Sequence, residues 1–376
     1  MISRFIEKQI LKILEPGKVV CLLGARRTGK TVLIEHIKKN IGGRRTLFVQ
    51  GDDLDAADVL SSPRAEVLNR FVRGYEYLFV DEAQNVPNIG RSIKLLVDSN
   101  PQIAVLLTGS ASFDLRKKVG EPLVGRGFYM HLYPIAQLEL SQKENMLETR
   151  RNLEARLIYG AYPQVITSGS DDEKRRHLVA LRDGYLLKDI LVLDNLKDSL
   201  FIFNLLRLLA FQIGQDVSFS ELAANLHVNA RTVRRYLELL EKTFVIFSLN
   251  GFSRNLRKEY TKSPRYYFWD NGIRNALISN FNPLHLRDDQ GRLWENYCVV
   301  ERMKRNAYRE VGTNYFFWRT YDQKEIDLIE EGQGELHGYE FKWGRAKPRP
   351  PKDFLTTYNG SSWRVIDQEN YIDFIT

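Results

Sequence analysis

The sequence of 376 residues is long enough for two or three domains, each with its own core. Its hydrophobic content of 43% and charged content of 27% are those of an ordinary globular protein, and no apolar run approaches the 18 residues of a membrane-spanning helix. The net charge of +8 is uneven, because residues 228–265 carry nine Lys/Arg and three Asp/Glu; this excess indicates a polyanionic partner, the alternative being a solvated face.

The N-terminus is interrupted by charged residues and lacks the apolar core of a signal peptide. Two cysteines, Cys21 and Cys298, match no metal-ligand or redox spacing. We therefore expect a cytoplasmic protein. Residues 3–14 predict an amphipathic helix that ends at Pro16-Gly17, and its apolar positions are Phe5, Ile6, Ile10, Ile13 and Leu14.

A buried strand and a glycine-rich loop follow this helix. The strand is the continuous apolar run Val19-Val20-Cys21-Leu22-Leu23. The loop fits G-x-x-x-x-G-K-[ST], the phosphate-binding pattern, as Gly24-Ala25-Arg26-Arg27-Thr28-Gly29-Lys30-Thr31. Apolar residues then recur at helical spacing, so the loop lies at a helix N-terminus, where backbone N–H groups point at phosphate oxygens. We expect Lys30 to reach the β- and γ-phosphates and the Thr31 hydroxyl to ligate Mg²⁺.

Three further strands are predicted, at 46–49, 77–80 and 103–108, and the last two end in polar residues. Asp81 is expected to hold Mg²⁺ through water, and Glu82 to polarise the attacking water as general base. The alternative is a strand that ends in a turn with two solvated acids. Because ligands bind at the carboxyl ends of parallel strands, Thr108 or Ser110 is expected to face the γ-phosphate.

Arg126 lies between two glycines in the next turn. An arginine at this place stabilises transition-state charge, either on its own subunit's nucleotide or on that of a neighbour. The alternative is a surface arginine in a Gly-rich turn.

These motifs together resemble a family of prokaryotic AAA-type ATPases that join a P-loop core to a C-terminal domain of unknown function. The matching segments are Gly24 to Thr31, Asp81-Glu82-Ala83-Gln84, Thr108-Gly109-Ser110 and Leu123-Val124-Gly125-Arg126. The resemblance implies ATP as the nucleotide and a functional role for Arg126. Ala25 stands where the family often has proline, which is a change in a loop backbone.

The middle of the chain predicts a helical lid or linker followed by a helix-turn-helix. Ser218 or Ser220 can cap a short first helix, and residues 230–242 form the second, with Val233, Leu237 and Leu240 inward. Strands at 243–249 and 266–269 with a basic segment between them suit a winged helix whose wing contacts phosphates, and Arg265 lies in that segment. The alternative is a spacer or protein-contact module. The expected DNA contacts are Arg231, Thr232, Arg234, Arg235, Lys258 and Lys262.

Alternating patterns at 325–329 and 339–343, with a turn at Gly332-Gln333-Gly334, predict a hairpin that brings Asp327 and Glu340 together. Two carboxylates are suitable ligands for Mg²⁺ or Mn²⁺, and Lys342 on the same face as Glu340 could stabilise developing charge. The alternative is a solvated strand face.

This spacing resembles the PD-(D/E)XK restriction-endonuclease-like fold, in which an Asp precedes a Glu-x-Lys on the next strand. The resemblance adds Glu295, on the preceding predicted helix, as a further acid of the site. The same set of residues also occurs in the ATPase family named above, so the two resemblances cover nearly the whole chain.

The sequence thus predicts an α/β protein with an AAA-type P-loop core and parallel sheet at 1–140, a helical lid at 141–212, a winged helix at 213–275 and a restriction-endonuclease-like domain at 276–376. We expect an ATP- and Mg²⁺-dependent DNA-handling enzyme in DNA processing or repair. It would act on duplex or branched DNA as a homo-oligomer, for which a ring is one arrangement. The alternative is a nucleotide-gated switch that acts through protein contacts, with an inert C-terminal binding module.

Overall fold

The computed structural model describes residues 2–110, 123, 125–186, 199–253, 263–320, 324–344 and 348–376. The chain forms two compact units, one made of residues up to Pro134 with Lys242–Phe244, the other of Ile135–Glu241 with Val245–Thr376. Among the described helices, none combines the length and apolar character needed to cross a membrane.

The first unit is built on a five-stranded sheet in which every strand pair is parallel, in the order β2-β3-β4-β1-β5. The strands are β1 Val19–Leu23, β2 Thr46–Gln50, β3 Tyr77–Asp81, β4 Ala104–Gly109 and β5 Gly127–His131. The apolar runs of β1, β3 and β4 are buried along their whole length, as expected for strands covered on both faces. The strands predicted in this region are confirmed.

Helices pack around this sheet. They are α1 Phe5–Ile13, α2 Lys30–Asn40, α3 Leu54–Leu60, α4 Ala65–Phe71 and α5 Ile89–Ser99. The predicted N-terminal helix is confirmed as α1, which buries Ile6 and Ile10. The loop between β1 and α2 lies at the carboxyl edge of the sheet, together with the ends of β3 and β4.

The second unit begins with short helices, which confirms the helical pattern predicted for this part of the chain. They are α6 Gln137–Leu140, α7 Met146–Arg151, α8 Leu153–Tyr159, α9 Pro163–Thr167, α10 Asp171–Leu181 and α11 Ser199–Phe211, with a π-helical turn at Arg182–Leu186. Helix α8 ends at Gly160. Gly160 has φ 71° there, and Pro163 begins α9.

The predicted helix pair is present as α12 Phe219–Asn225 and α13 Ala230–Lys242. The Ser218 hydroxyl accepts a hydrogen bond from the backbone N–H of Glu221 at the start of α12. On α13, Val233, Leu237 and Leu240 are buried, as their spacing predicts.

A six-stranded sheet in the order β11-β10-β9-β8-β6-β7 forms the rest of the unit. Its strands are β6 Ile246–Gly251, β7 Arg265–Phe268, β8 Asn314–Arg319, β9 Glu325–Gly332, β10 Glu335–Phe341 and β11 Ser362–Ile366, and the helices here are α14 Asn271–Leu277, α15 Gln290–Tyr308, α16 Lys352–Thr357 and α17 Tyr371–Ile375. The hairpin of β9 and β10 is confirmed. The two strands expected to form a wing, β6 and β7, pair with each other and continue this sheet through β8. The boundary expected after residue 275 lies inside α14, and the four-domain division as a whole stays a prediction.

Candidate functional site

The glycine-rich loop of the first unit is held in a conformation that its two glycines make possible. A Cβ on Gly24 would lie 2.3 Å from the carbonyl oxygen of Leu132, and Gly29 has φ 95° at the start of α2. The loop therefore passes tightly between β1 and the end of β5, and its amides lie at the N-terminus of a helix of 11 residues.

Lys30 lies inside this loop. Its Nζ donates hydrogen bonds to the carbonyl oxygens of Gly24 at 2.8 Å and Ala25 at 3.0 Å, and the side chain is buried. An ammonium group held by loop carbonyls at a helix N-terminus is positioned to exchange them for phosphate oxygens.

Oxygen ligands for a cation lie directly after Lys30. Thr31 Oγ1 donates to Asp81 Oδ2 at 2.6 Å, and Thr108 Oγ1 donates to the other carboxylate oxygen of Asp81. Asp81 is buried at the end of β3. A hydroxyl and a carboxylate in contact are hard oxygen donors of the kind that Mg²⁺ takes, so the residues present fit a magnesium ion.

Glu82 follows Asp81 in the left-handed region, with φ 51° and ψ 42°. Its backbone N–H donates to Thr108 Oγ1 at 3.0 Å. Gln84 Nε2 donates both to the Glu82 carboxylate and, at 3.2 Å, to Ser110 Oγ. The structure thus brings Glu82 and Ser110 together through Gln84, to which the sequence analysis gave no role.

A second residue that the sequence did not single out is Arg4. Its Nη1 donates to the Thr28 carbonyl at 2.9 Å and its Nη2 to the Tyr133 carbonyl at 2.7 Å, and the side chain is buried. The only signal in the sequence is an arginine next to an apolar helix face. Its contact lies 24 residues away, where spacing gives no guidance.

Arg126 is not close to the other predicted residues. It precedes β5, and the Val19 N–H at the start of β1 donates to its carbonyl, so it lies at the amino edge of the sheet. The loop begins beyond the far end of β1, about 16 Å away at 3.3 Å per residue. Arg126 pairs with Asp98 and is exposed. A role for Arg126 on the nucleotide of its own subunit is therefore wrong, because this distance exceeds the reach of the side chain.

The hairpin of the second unit joins the carboxylates that the sequence selected. Asp327 Oδ2 accepts a hydrogen bond of 2.8 Å from the Phe341 N–H on the opposite strand. Glu340 pairs with Lys342 at 2.7 Å, and both Asp327 and Glu340 are buried.

Glu295 from α15 adds a third acid. It accepts a hydrogen bond of 2.7 Å from the Tyr267 hydroxyl. Burial, together with neighbouring carboxylates, raises the pKa of Glu295 to about 7 and raises the pKa of Asp327 well above its usual range.

In the described ranges no group of three or more His, Cys, Asp or Glu side chains is arranged to hold a metal ion. A metal at this hairpin would therefore take Asp327 and Glu340 together with backbone or water oxygens. Asp327 and Glu340 are both buried, and their carboxylates are hard oxygen ligands of the kind that a divalent cation takes.

The residues predicted to contact DNA fall into three groups. Arg231, Arg234 and Arg235 are exposed on α13, and Thr232 is partly buried and bonds Asn229. Lys258 and Lys262 lie outside the described residues.

The expectation that Arg265 belongs to a phosphate-contacting segment is wrong. Arg265 is buried, pairs with Asp216 at 2.9 Å and Glu325 at 2.7 Å, and stacks on Phe317. Its charge is used within the protein.

Three known protein families match successive parts of the chain. Residues 16–141 match a family described as an AAA domain. Residues 150–284 and 290–369 match two families described as domains of unknown function, DUF8612 and DUF4143. Together with the parallel sheet and the loop geometry, the first match supports an AAA-type P-loop core in the first unit.

Relatives extend over most of the chain. The uncharacterized proteins Rv2008c of Mycobacterium tuberculosis and Mb2031c of Mycobacterium bovis are each 28% identical over 342 residues, 89% of this chain and 72% of theirs. The uncharacterized protein MJ1637 of Methanocaldococcus jannaschii is 23% identical over 312 residues, 72% of this chain and 65% of its own. Among solved structures, the Walker-type ATPase paby2304 of Pyrococcus abyssi aligns at a TM-score of 0.48 with 15% identity, over 74% of this chain and 96% of that one.

Proposed function

We propose that the first unit binds Mg·ATP and hydrolyses it. The observation that carries this proposal is the contact of Thr31 Oγ1 with Asp81 Oδ2 directly beside Lys30, at the carboxyl edge of a parallel sheet. Phosphate, cation and water would meet where these strands end.

Each residue has a distinct task in this proposal. Lys30 leaves the carbonyls of the loop and neutralises charge on the β- and γ-phosphates. Thr31 and Asp81 hold the magnesium ion, whose chemistry is to neutralise and orient the phosphate oxygens. Glu82 accepts a proton from the attacking water, and Gln84 with Ser110 holds the Glu82 carboxylate at the end of β4.

The test is ATP turnover and binding of a fluorescent ATP analogue by the purified full chain. Lys30→Ala should abolish binding, and Glu82→Gln should keep binding while lowering turnover about 100-fold or more. Lys39→Ala, on the exposed side of the same helix, is the matched control and should behave as wild type. Unchanged turnover in Lys30→Ala would refute the proposal.

We further propose that the second unit binds DNA, duplex or branched, through α13. The exposed arginines on this helix, with its apolar residues buried, give the form in which a second helix enters a major groove. Stimulation of ATP turnover by DNA, lost in Arg231→Ala/Arg234→Ala, is the expected result. No stimulation, with a protein partner recovered instead, would favour a nucleotide-gated switch.

We also propose that the second unit cleaves a phosphodiester with the help of a bound metal ion. This part of the proposal is based on the hairpin of β9 and β10, which carries Asp327 and Glu340. Asp327 and Glu340 would hold the divalent ion, which activates water when bound. Lys342 stabilises charge on the phosphate, and the Glu340 ion pair holds its ammonium in place. Glu295 is the further acid of this site, and the Tyr267 hydroxyl holds its carboxylate in place.

Nicking of plasmid DNA in Mg²⁺ and in EDTA tests cleavage. Asp327→Asn and Lys342→Met should each remove nicking while ATP turnover continues. Nicking that persists at the wild-type rate in Asp327→Asn would show that the hairpin is a binding module.

We propose that Arg126 acts on the nucleotide of a neighbouring subunit, because the phosphate-binding loop of its own subunit is out of reach of its side chain. A mixture of Arg126→Ala and Lys30→Ala chains tests this directly, because each chain supplies the group that the other lacks. Recovery of turnover on mixing, with an oligomer in light scattering, is expected. No recovery from preformed mixed oligomers would leave Arg126 as a surface residue paired with Asp98.

A further inference from the structure

A cleft of about 510 Å³ opens on the sheet of the second unit beside Glu340. Its floor is formed by Glu325, Glu340 and Trp363 from three strands, and its rim by the segment from Pro348 to Lys352 that leads into α16. The cleft reaches the predicted metal-binding carboxylate, and the residues of its rim have no part in the functions proposed above.

The net charge of this cleft is positive when each of its ion pairs is counted as neutral. Every acid on its wall has a cationic partner: Glu325 pairs with Arg265 at 2.7 Å, Glu340 with Lys342 at 2.7 Å, and Asp353 with Lys324. Arg349 and Lys352 are exposed, and within the described part of the chain neither forms an ion pair. Two positive charges therefore remain available to an anion in the cleft.

The rim presents these two charges at a fixed spacing. Arg349 and Pro350 each precede a proline, which restricts both to extended backbone. Arg349 and Lys352 are three residues apart in the chain and both line the cleft, so their two charges lie at the same opening. The segment is anchored at its end by Phe354, which is fully buried against Trp318. Little conformational entropy is then lost when an anion binds.

An aromatic side chain completes the cleft. Trp363 lies on β11, partly exposed, on the face of the sheet that carries Glu340, because its strand pairs with β10 in parallel register. A cleft with positive charges on one wall and an aromatic ring on another is the arrangement that holds single-stranded nucleic acid, because its phosphates and its unpaired bases are both accessible. A duplex would keep its bases away from Trp363.

We propose that this cleft binds a single strand of nucleic acid, with its phosphates on Arg349 and Lys352 and a base against Trp363. The strand then passes Glu340, so the proposal deepens the nucleic-acid function proposed above and names its substrate as a single-stranded region or flap. It relies on that function for the class of ligand and does not require cleavage.

Binding is measured by fluorescence anisotropy with the full chain and a labelled oligothymidine of 12 nucleotides, in EDTA and without ATP, so that neither proposed activity contributes. Arg349→Ala/Lys352→Ala should flatten the plot of log affinity against log salt by about 1.4, at about 0.7 for each phosphate contact. If the variant and wild type bind equally at 1 M salt, this change in slope corresponds to about 25-fold weaker binding at 0.1 M salt. The control is Arg364→Ala, which removes an exposed arginine from the opposite face of β11 and should change affinity less than 2-fold.

Two comparisons make the test specific. Duplex affinity should fall in Arg231→Ala/Arg234→Ala and stay unchanged in Arg349→Ala/Lys352→Ala. The proposal is overturned if Arg349→Ala/Lys352→Ala binds oligothymidine with wild-type affinity, or if its affinities for duplex and for single-stranded DNA fall equally. It is also overturned if a polyglutamate peptide displaces the labelled oligonucleotide as well as unlabelled oligothymidine does. If the protein shows the expected binding and no nicking, the proposed single-strand binding in the cleft stands and the proposed nuclease activity is refuted.

Discussion

Replacing Thr31 by valine keeps the shape of the side chain and removes the hydroxyl that donates to Asp81 at 2.6 Å. A hydrogen bond to a charged group contributes about 1.5–3 kcal/mol to stability. Because Thr31 is exposed while Asp81 is buried, water can replace part of this bond, and we expect the nucleotide-free variant to lose about 1–2 kcal/mol. In a unit of this size the loss corresponds to a melting temperature lower by about 5 °C.

The larger effect should concern magnesium. In wild type, Mg²⁺ should strengthen the binding of ATP, because Thr31 and Asp81 together provide oxygens to the ion. Thr31→Val should retain most of its affinity for ATP in EDTA and lose the gain that Mg²⁺ provides, and hydrolysis should fall with it. Thr31→Ser is the matched control, since it restores the hydroxyl, and it should behave almost as wild type.

The assay is titration of a fluorescent ATP analogue with and without Mg²⁺, combined with thermal melting at saturating nucleotide. A ligand at 100 times its dissociation constant stabilises the protein by about 2.7 kcal/mol, so the missing magnesium effect should also be visible as a smaller rise in melting temperature. If Thr31→Val keeps the full magnesium-dependent gain, the cation is held elsewhere and our assignment of this edge of the sheet fails.

Three further predictions follow from single contacts. Gly24→Ala should place a methyl group 2.3 Å from the carbonyl oxygen of Leu132, lower the free energy of unfolding by about 1–3 kcal/mol in thermal or urea unfolding, and abolish ATP binding. The control is Gly291→Ala, which adds a methyl group in open space within a helix and should be neutral or stabilising. Burial raises the pKa of Asp270 from 3.8 to about 6, so the folded state keeps this proton to higher pH than the unfolded state does. As the pH rises from 4 to 6, wild type should lose about 2 kcal/mol of stability relative to Asp270→Asn, and parallel stability curves would contradict this. Tyr267→Phe removes the donor to Glu295, the acid whose charge acts on Asp327, and should lower nicking while ATP turnover stays unchanged; a change confined to melting temperature would make Tyr267 structural.

The sequence predicted most reliably those features whose physics is local. The run from Val19 to Leu23 is apolar because it is covered on both faces, and the glycines that follow it are needed where the backbone turns tightly. The alternation around Asp327 and Glu340 placed both on a hairpin because a strand has a period of two. In each case, neighbouring residues in the chain carried the information.

Features that depend on distant parts of the chain could not be predicted in this way. Arg265 occurs in a basic segment, and only the fold shows that Asp216 and Glu325 neutralise it 49 and 60 residues away in sequence. Gln84 acquires a contact with Ser110 only because β3 and β4 are neighbours in the sheet. Arg126 was selected by a motif, and its strand register shows that it lies at the opposite edge from the loop.

The pairing of β6 with β8 has a consequence for how the second unit works. It makes β7 part of the sheet that carries the carboxylates, and β7 supplies Tyr267 to Glu295 and Arg265 to Glu325. A movement of β7 would therefore change the hydrogen bonding of the acidic cluster or break the ion pairs of the buried Arg265. An ion pair between Arg265 and Asp216, just before α12, extends this network to the helix pair itself. If the proposed binding of DNA moves β7, the acidic cluster would respond through Arg265 and Tyr267.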